Sequence, residues 1–172
     1  MTPPRAPVTV RDATPADVLA IRSIVETYTS DRILLAHDLV AYYEAVRDFV
    51  VAVAPTGDIV GCGALHVMWS DLAEVRTLAV ARERLHTGVG HAMLTGLMER
   101  ARDLRLRRLF CLTFEVEFFA RHGFEAVDGE VVDPQVYREM LLSHDDGVAE
   151  FLDLARVKPN TLGNTRMLMN LG

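Results

Sequence analysis

The chain has 172 residues, 50% of them hydrophobic and 24% charged, which suits a soluble globular domain with a proper core. Its formal net charge of −6 argues against a general nucleic-acid binder, which needs basic surface. No apolar run approaches the roughly 20 residues of a membrane span, and the start MTPPRAPVTV lacks the apolar core of a signal peptide. The expectation is a cytoplasmic protein of one domain, residues 1–172, with no membrane or nucleic-acid partner.

Residues 1–7 are Pro-rich and read as loose. VTVRDA (8–13) reads as a short strand. TPADVLAIRSIVETY (14–28) carries helix-start signals: Thr14 as N-cap, Pro15 at the first helical position and Asp17 at box spacing. Val18, Ile21, Val25 and Tyr28 recur at helical spacing. HDLVAYYEAVRD (37–48) predicts a second short helix. The stretch 48–68 reads as two strands around the turn PTGD, and AEVRTLAV (73–80) as another strand. Alternation there puts Glu74 and Arg76 on one face, and Val75, Thr77 and Ala79 on the other. Residues 88–106 predict a long amphipathic helix with Val89, Met93, Leu97, Ala101 and Leu104 along one stripe.

The arginines 100, 102, 105, 107 and 108 read as a solvated helix end, with an anion or partner patch as the alternative. RLFCLTF (108–114) is a strand, EVEFFARH (115–122) a short helix closed by Gly123, and FEAV (124–127) the next strand. The tail reads as helices near 134–143 and 148–154, then a strand at TRMLMNL (165–171). Cys62 and Cys111 lie far apart in apolar runs and read as buried free thiols of a reducing compartment. The order of elements predicts an α/β (α+β) domain on a mixed, mostly antiparallel sheet flanked by helices.

LHTGVGHAM (85–93) stands where a strand gives way to a helix. Such a turn presents free N–H groups at the positive end of a helix, a ready anion site. A P-loop is excluded, because there is neither its spacing nor its lysine. A Rossmann fingerprint is excluded too, because its third glycine is Met93 and the preceding strands read as hairpins. A purely structural turn and the pyrophosphate turn of an acyl-CoA enzyme stay open on spacing alone.

EVRTLAV, GVGHAML and FFARHGF, in this order, resemble the GCN5-related N-acetyltransferase (GNAT) family over roughly residues 8–128. The likeness extends to the acetyltransferase domain of N-acetylglutamate synthases through ILL (33–35), GCGALHV (61–67), RLFCLTF (108–114) and GNTRMLM (163–169). Those enzymes often carry an amino-acid-kinase domain upstream, for which 172 residues leave no room, so the likeness points to the stand-alone form.

The resemblance implies acetyl-CoA as co-substrate. The backbone of Leu78, Ala79 and Val80 would pair with the pantetheine arm. The N–H groups of His86, Gly88, Val89, Gly90 and His91 would cradle the pyrophosphate. Leu85 stands where the family usually has Gln or Arg, so the grip would rest on backbone. The implied reaction is direct attack of an α-amine on the thioester, and the implied product is N-acetyl-L-glutamate, or its glutamine counterpart, as the first step of arginine synthesis.

Glu74 is the candidate base, since a free α-amine is mostly protonated at neutral pH. The alternatives for Glu74 are an ordinary surface strand residue or a partner of Arg76 or His66. His66, Arg76 and Thr77 are candidate substrate contacts. Asn164, Thr165 and Arg166 resemble the family's substrate-side Asn-Ser segment. An arginine the family places just before that segment is Gly163 here, with Lys158 as a possible substitute. The tyrosine that often protonates the leaving thiolate is absent from EFFARHGF, which leaves solvent, Thr113 or Tyr137. No metal site is expected, and the family likeness points to a homodimer. Acetylation of another small amine or a protein N-terminus, and a non-catalytic acyl-CoA-sensing module, are the competing readings.

Overall fold

The computed structural model describes residues 7–31, 34 and 37–172. Residues 1–6 of the Pro-rich start and most of ILL at 33–35 lie outside the described residues. In chain order the elements are β1 (Thr9–Asp12), a 3-10 turn (Pro15–Asp17), α1 (Val18–Thr29), α2 (Leu39–Glu44), a 3-10 turn (Val46–Asp48), β2 (Phe49–Val53), β3 (Ile59–Trp69) and β4 (Leu72–Val80). A 3-10 turn (Arg82–Arg84), α3 (Val89–Asp103), β5 (Arg108–Thr113), α4 (Val116–Ala120) and β6 (Glu125–Ala126) follow. The chain closes with α5 (Pro134–Met140), α6 (Asp146–Phe151), a 3-10 turn (Ala155–Val157), α7 (Lys158–Thr161) and β7 (Thr165–Asn170). Among the described residues the strands form one mixed seven-stranded sheet in the order β1-β2-β3-β4-β5-β7-β6.

The chain divides into two compact units: residues 1–66 with 75–103, and residues 67–74 with 104–172. In the first, β1 pairs antiparallel with β2, and β2 with β3 from Phe49↔Ala64 to Val53↔Ile59. Its core holds Val18, Ile21, Val25, Tyr42, Val51 and Cys62. The start of α1 is fastened by Asp17, whose carboxylate accepts from Thr14 N–H at 2.7 Å, from the Thr14 hydroxyl at 3.0 Å and from both Arg11 nitrogens at 2.7 and 3.0 Å. The helix expected at 14–28 therefore begins as one 3-10 turn. The PTGD turn closes through Gly57, at φ +92, whose N–H donates to Ala54 O.

In the second unit, β4 pairs parallel with β5 through Leu72↔Arg108, Ala73↔Leu109 and Glu74↔Phe110. β5 pairs antiparallel with β7 from Arg108↔Asn170 to Thr113↔Thr165. Phe110 packs edge-on against Phe151 at 5.1 Å, in a core with Leu72, Met140 and Leu152.

Three expectations are corrected. The α3 stripe buries Val89, Met93, Leu97 and Ala101 fully, but Leu104 is 53% exposed. The helix stops at Asp103 because Arg105 adopts φ +60, and Leu106 turns inward instead. The five arginines are accordingly not one helix end. Arg100 and Arg102 close α3, whereas Arg108 lies on β5 and pairs with Asp71 at 3.1 Å. Alternation along β4 also fails: Leu72 to Val75 are all buried, and Thr77 at φ +56 breaks the two-residue period.

Candidate active site

β4 leads through the 3-10 turn Arg82–Arg84 into the glycine turn and α3. The turn holds two left-handed residues, His86 at φ +63 and Gly88 at φ +91. Glycine takes that conformation without strain; histidine does so at a cost. Thr87 N–H is used within the turn, donating to Arg84 O at 3.4 Å, and its hydroxyl donates to the same oxygen at 2.6 Å. The first α-helical bond runs from Ala92 N–H to Gly88 O at 3.0 Å. The N–H groups of Gly88, Val89, Gly90 and His91 thus precede the helical ladder of a 15-residue helix, whose dipole favours an anion there. Leu85 is extended and 40% exposed, so its side chain offers this turn no charge.

The strand leading into the glycine turn has a feature that sequence reasoning missed. Tyr28 on α1 donates its hydroxyl to Val80 O at 2.5 Å. The Arg82 guanidinium lies 4.4 Å from the centroid of the Tyr28 ring, donates to Thr27 O and pairs with Asp31. One carbonyl of the Leu78–Val80 stretch is thereby already engaged. Fifty-two residues separate Tyr28 from Val80, so no local pattern could have shown it.

Glu74 is only 4% exposed, which removes the reading of an ordinary surface strand residue. It sits on β4 four residues before Leu78. Its charge reaches Cys111, whose thiol is pushed up first by burial and second by Glu74. Cys62 is likewise raised to about 12 by burial. Both thiols are buried, and burial disfavours the thiolate, so neither is placed as an acyl-accepting nucleophile.

His66 closes a contact with Asp48: Nδ1 lies 2.8 Å from Oδ2. Arg76 and Thr77 are half-buried beyond Glu74, and Thr77 O accepts from Cys62 Sγ at 3.7 Å. In the second unit, Asn164, Thr165 and Arg166 line a cavity of about 410 Å³ with Leu112, Asp128, Asp153 and Lys158. Pairing of Leu112 with Arg166 puts both on one face of the sheet. Arg166 donates to the carbonyls of Phe151 and Gly129, while its buried Nε has no hydrogen-bond partner among the described residues. Burial lowers its pKa, against the opposing charges of Asp153 and Asp128. Lys158, the suggested substitute for a family arginine, lines the same cavity and pairs with Asp153. Gly163, at φ +78, faces Phe114 closely: a Cβ there would stand 3.1 Å from the Phe114 ring. Glu74 is not among the cavity's lining residues.

The sequence profile of the Acetyltransferase (GNAT) family matches residues 19–124. The chain belongs to this family. It is therefore an acetyltransferase, and acetyl-CoA is the family's acyl donor. A protein of Mycobacterium tuberculosis named amino-acid acetyltransferase is 56% identical over 164 residues, which cover 94% of each chain. A crystal structure from the same organism, in complex with CoA and NLQ, superposes with a TM-score of 0.90 at 55% identity, over 94% of this chain and 98% of that one. N-Acetylglutamate synthase from Neisseria gonorrhoeae, complexed with coenzyme A and N-acetyl-glutamate, superposes at a TM-score of 0.77 and 21% identity. That match covers 97% of this chain and 36% of the synthase, and at this identity it shows a shared fold. The expected GNAT fold is therefore the observed one. No helix among the described residues is long and apolar enough to cross a membrane.

Proposed function

We propose that this GNAT protein acetylates the α-amine of L-glutamate or L-glutamine, the first step of arginine biosynthesis, in the cytoplasm. The observation that carries this reading is the buried carboxylate of Glu74 on the strand that runs into the glycine turn. The high identity to a relative named amino-acid acetyltransferase supports the acceptor class. The two buried free thiols suit a reducing compartment.

In this mechanism the ammonium group first releases one proton to solvent; the neutral amine then attacks the thioester carbonyl and gives its second proton to Glu74, directly or through a water. An N–C bond forms and the C–S bond breaks. An N–H near Leu78 holds the developing oxyanion, and the CoA thiolate takes its proton from solvent. The backbone of Leu78, Ala79 and Val80 guides the pantetheine arm, and the N–H groups of His86, Gly88, Val89, Gly90 and His91 hold the pyrophosphate. His66, Arg76 and Thr77 contact the acceptor, and the half-satisfied guanidinium of Arg166, with Asn164 and Thr165, supplies donors for a carboxylate. A homodimer, the assembly implied by the family likeness, is checked by light scattering.

The test is a panel of free amino acids and other amines under saturating acetyl-CoA, with CoA release as readout. Glutamate and glutamine should lead the panel. Turnover confined to non-amino-acid amines would favour the competing acceptor reading. CoA binding without any turnover would favour a sensing module and overturn the proposal.

A further inference from the structure

The last turn of α1 meets the segment that joins β4 to the glycine turn, and all of these residues lie within one compact unit. Tyr28 is half-buried there and packs against the core of that unit. Its hydroxyl donates to Val80 O at 2.5 Å; Val80, the last residue of β4, is buried, so the hydroxyl satisfies a carbonyl that water would otherwise have to reach. The ring of Tyr28 lies 4.4 Å from the Arg82 guanidinium, which also donates to Thr27 O at 2.7 Å and pairs with Asp31. A cation thus covers the C-terminal end of α1, where carbonyls lack helical partners.

The position fixed at Val80 and Arg82 is handed on link by link. Ala81 N–H donates to Val60 O at 2.9 Å, and Arg84 N–H to Ala81 O at 2.8 Å. Leu85 N–H donates to Arg82 O at 3.3 Å, and Thr87 N–H to Arg84 O at 3.4 Å. These links lead to His86, which holds φ +63 without being glycine. Such a conformation persists only where the surroundings enforce it.

We propose that Tyr28 and Arg82 form a brace that keeps the glycine turn in its anion-binding shape, so that Tyr28 is a positioning residue for the pyrophosphate of the acyl donor. This rests on the reading of the glycine turn as the pyrophosphate site of CoA. Tyr28 acts through Val80 O and Arg82. With the brace intact, the turn is already ordered when the donor arrives. Without it, the binding-competent shape is only a fraction of the population, and the apparent affinity falls by that fraction. A donor that lacks the pyrophosphate has no use for the turn and escapes the loss.

Tyr28→Phe keeps the ring beside Arg82 and removes the hydroxyl. Titration calorimetry of CoA, which needs no turnover, is made with the wild type, Tyr28→Phe, Arg82→Ala, the double variant and Arg22→Ala. Arg22 pairs with Glu26 on the same helix and serves as the control. Kinetics with acetyl-CoA and with S-acetylpantetheine, which lacks the pyrophosphate, and denaturant midpoints accompany it. Tyr28→Phe should weaken CoA about 3- to 10-fold and raise the KM for acetyl-CoA alike, with kcat within about twofold. Its kcat/KM for S-acetylpantetheine should stay within about twofold. Arg82→Ala, at a side chain 43% exposed, should weaken CoA by a similar factor and carries the same comparison where Tyr28→Phe proves unstable. The double variant should lose less than the product of the single factors, because both side chains hold one segment. Arg22→Ala should leave every value unmoved. Unchanged CoA affinity in Tyr28→Phe overturns the inference, and so does an equal loss with S-acetylpantetheine, a fully multiplicative double variant or an equal loss in Arg22→Ala. A wild type that does not bind CoA would overturn the reading of the turn as well, whereas CoA binding that Tyr28→Phe leaves unmoved would overturn this inference alone.

Discussion

Replacing Gly88 with alanine tests the donor turn at one atom. Gly88 holds φ +91 immediately before α3, a conformation that costs an L-residue about 1–2 kcal/mol. If CoA binds across the N–H groups that follow, the bound turn must keep that conformation. The cost then appears as weaker CoA binding, about 5- to 30-fold, divided with any loss of stability in the free protein. Gly129 is the matched control: it also has positive φ, at +72, and a Cβ there would meet nothing within 4 Å. Gly129→Ala bears a similar backbone penalty in the other compact unit, away from the turn in sequence. Titration calorimetry of CoA with each variant, beside denaturant unfolding, separates affinity from stability. Gly88→Ala should weaken CoA and Gly129→Ala should not. Equal CoA affinity in both variants, with equal losses of stability, would refute the pyrophosphate role.

Glu74→Gln should lower kcat by about 10²- to 10⁴-fold while CoA affinity stays unchanged; near-normal turnover at neutral pH would remove Glu74 as base. Asp17 tests the fold alone. Arg11, with help from Thr14, lowers its pKa from 3.8 to about 2, so the stabilisation is full above pH ~4 and is lost as pH falls through about 2. The shift corresponds to at most about 2 kcal/mol, and to less because Arg11 is 43% exposed. Denaturant midpoints should show Asp17→Asn less stable than wild type at pH 7, with the gap closing toward pH 2. Gly163→Ala adds a methyl against Phe114 at a left-handed position beside Asn164. It should raise the KM for the amino acid more than that for acetyl-CoA, and equal increases would detach this segment from the acceptor.

Much of the chain order was legible because its signals are local. The PTGD turn, the Val89–Ala101 stripe and the glycine closing α4 each follow from residues a few positions apart. The glycine turn at the start of α3 was legible for the same reason: its glycines sit next to the helix they start. What escaped is set by distant neighbours or by backbone the side chains do not announce. Thr77 and Arg105 take positive φ without being glycine, and they broke the expected strand alternation and helix end. Asp48 and His66 lie 18 residues apart, and Tyr28 and Val80 lie 52 apart, so only the folded sheet brings them together. Glu74 was named from its place in a motif, but its burial became apparent only from the strand packed beside it. Leu85, the departure from the family's turn, proves exposed, which accords with a grip made by backbone N–H groups.

The central claim is the transfer of an acetyl group to an amino acid's α-nitrogen. Its most direct test is to incubate the protein with acetyl-CoA and either L-glutamine or L-glutamate, then identify the product by NMR. The account predicts the Nα-acetyl amino acid in amounts equal to the CoA released. CoA release without acetylated amino acid, or no reaction with either acceptor, would contradict it.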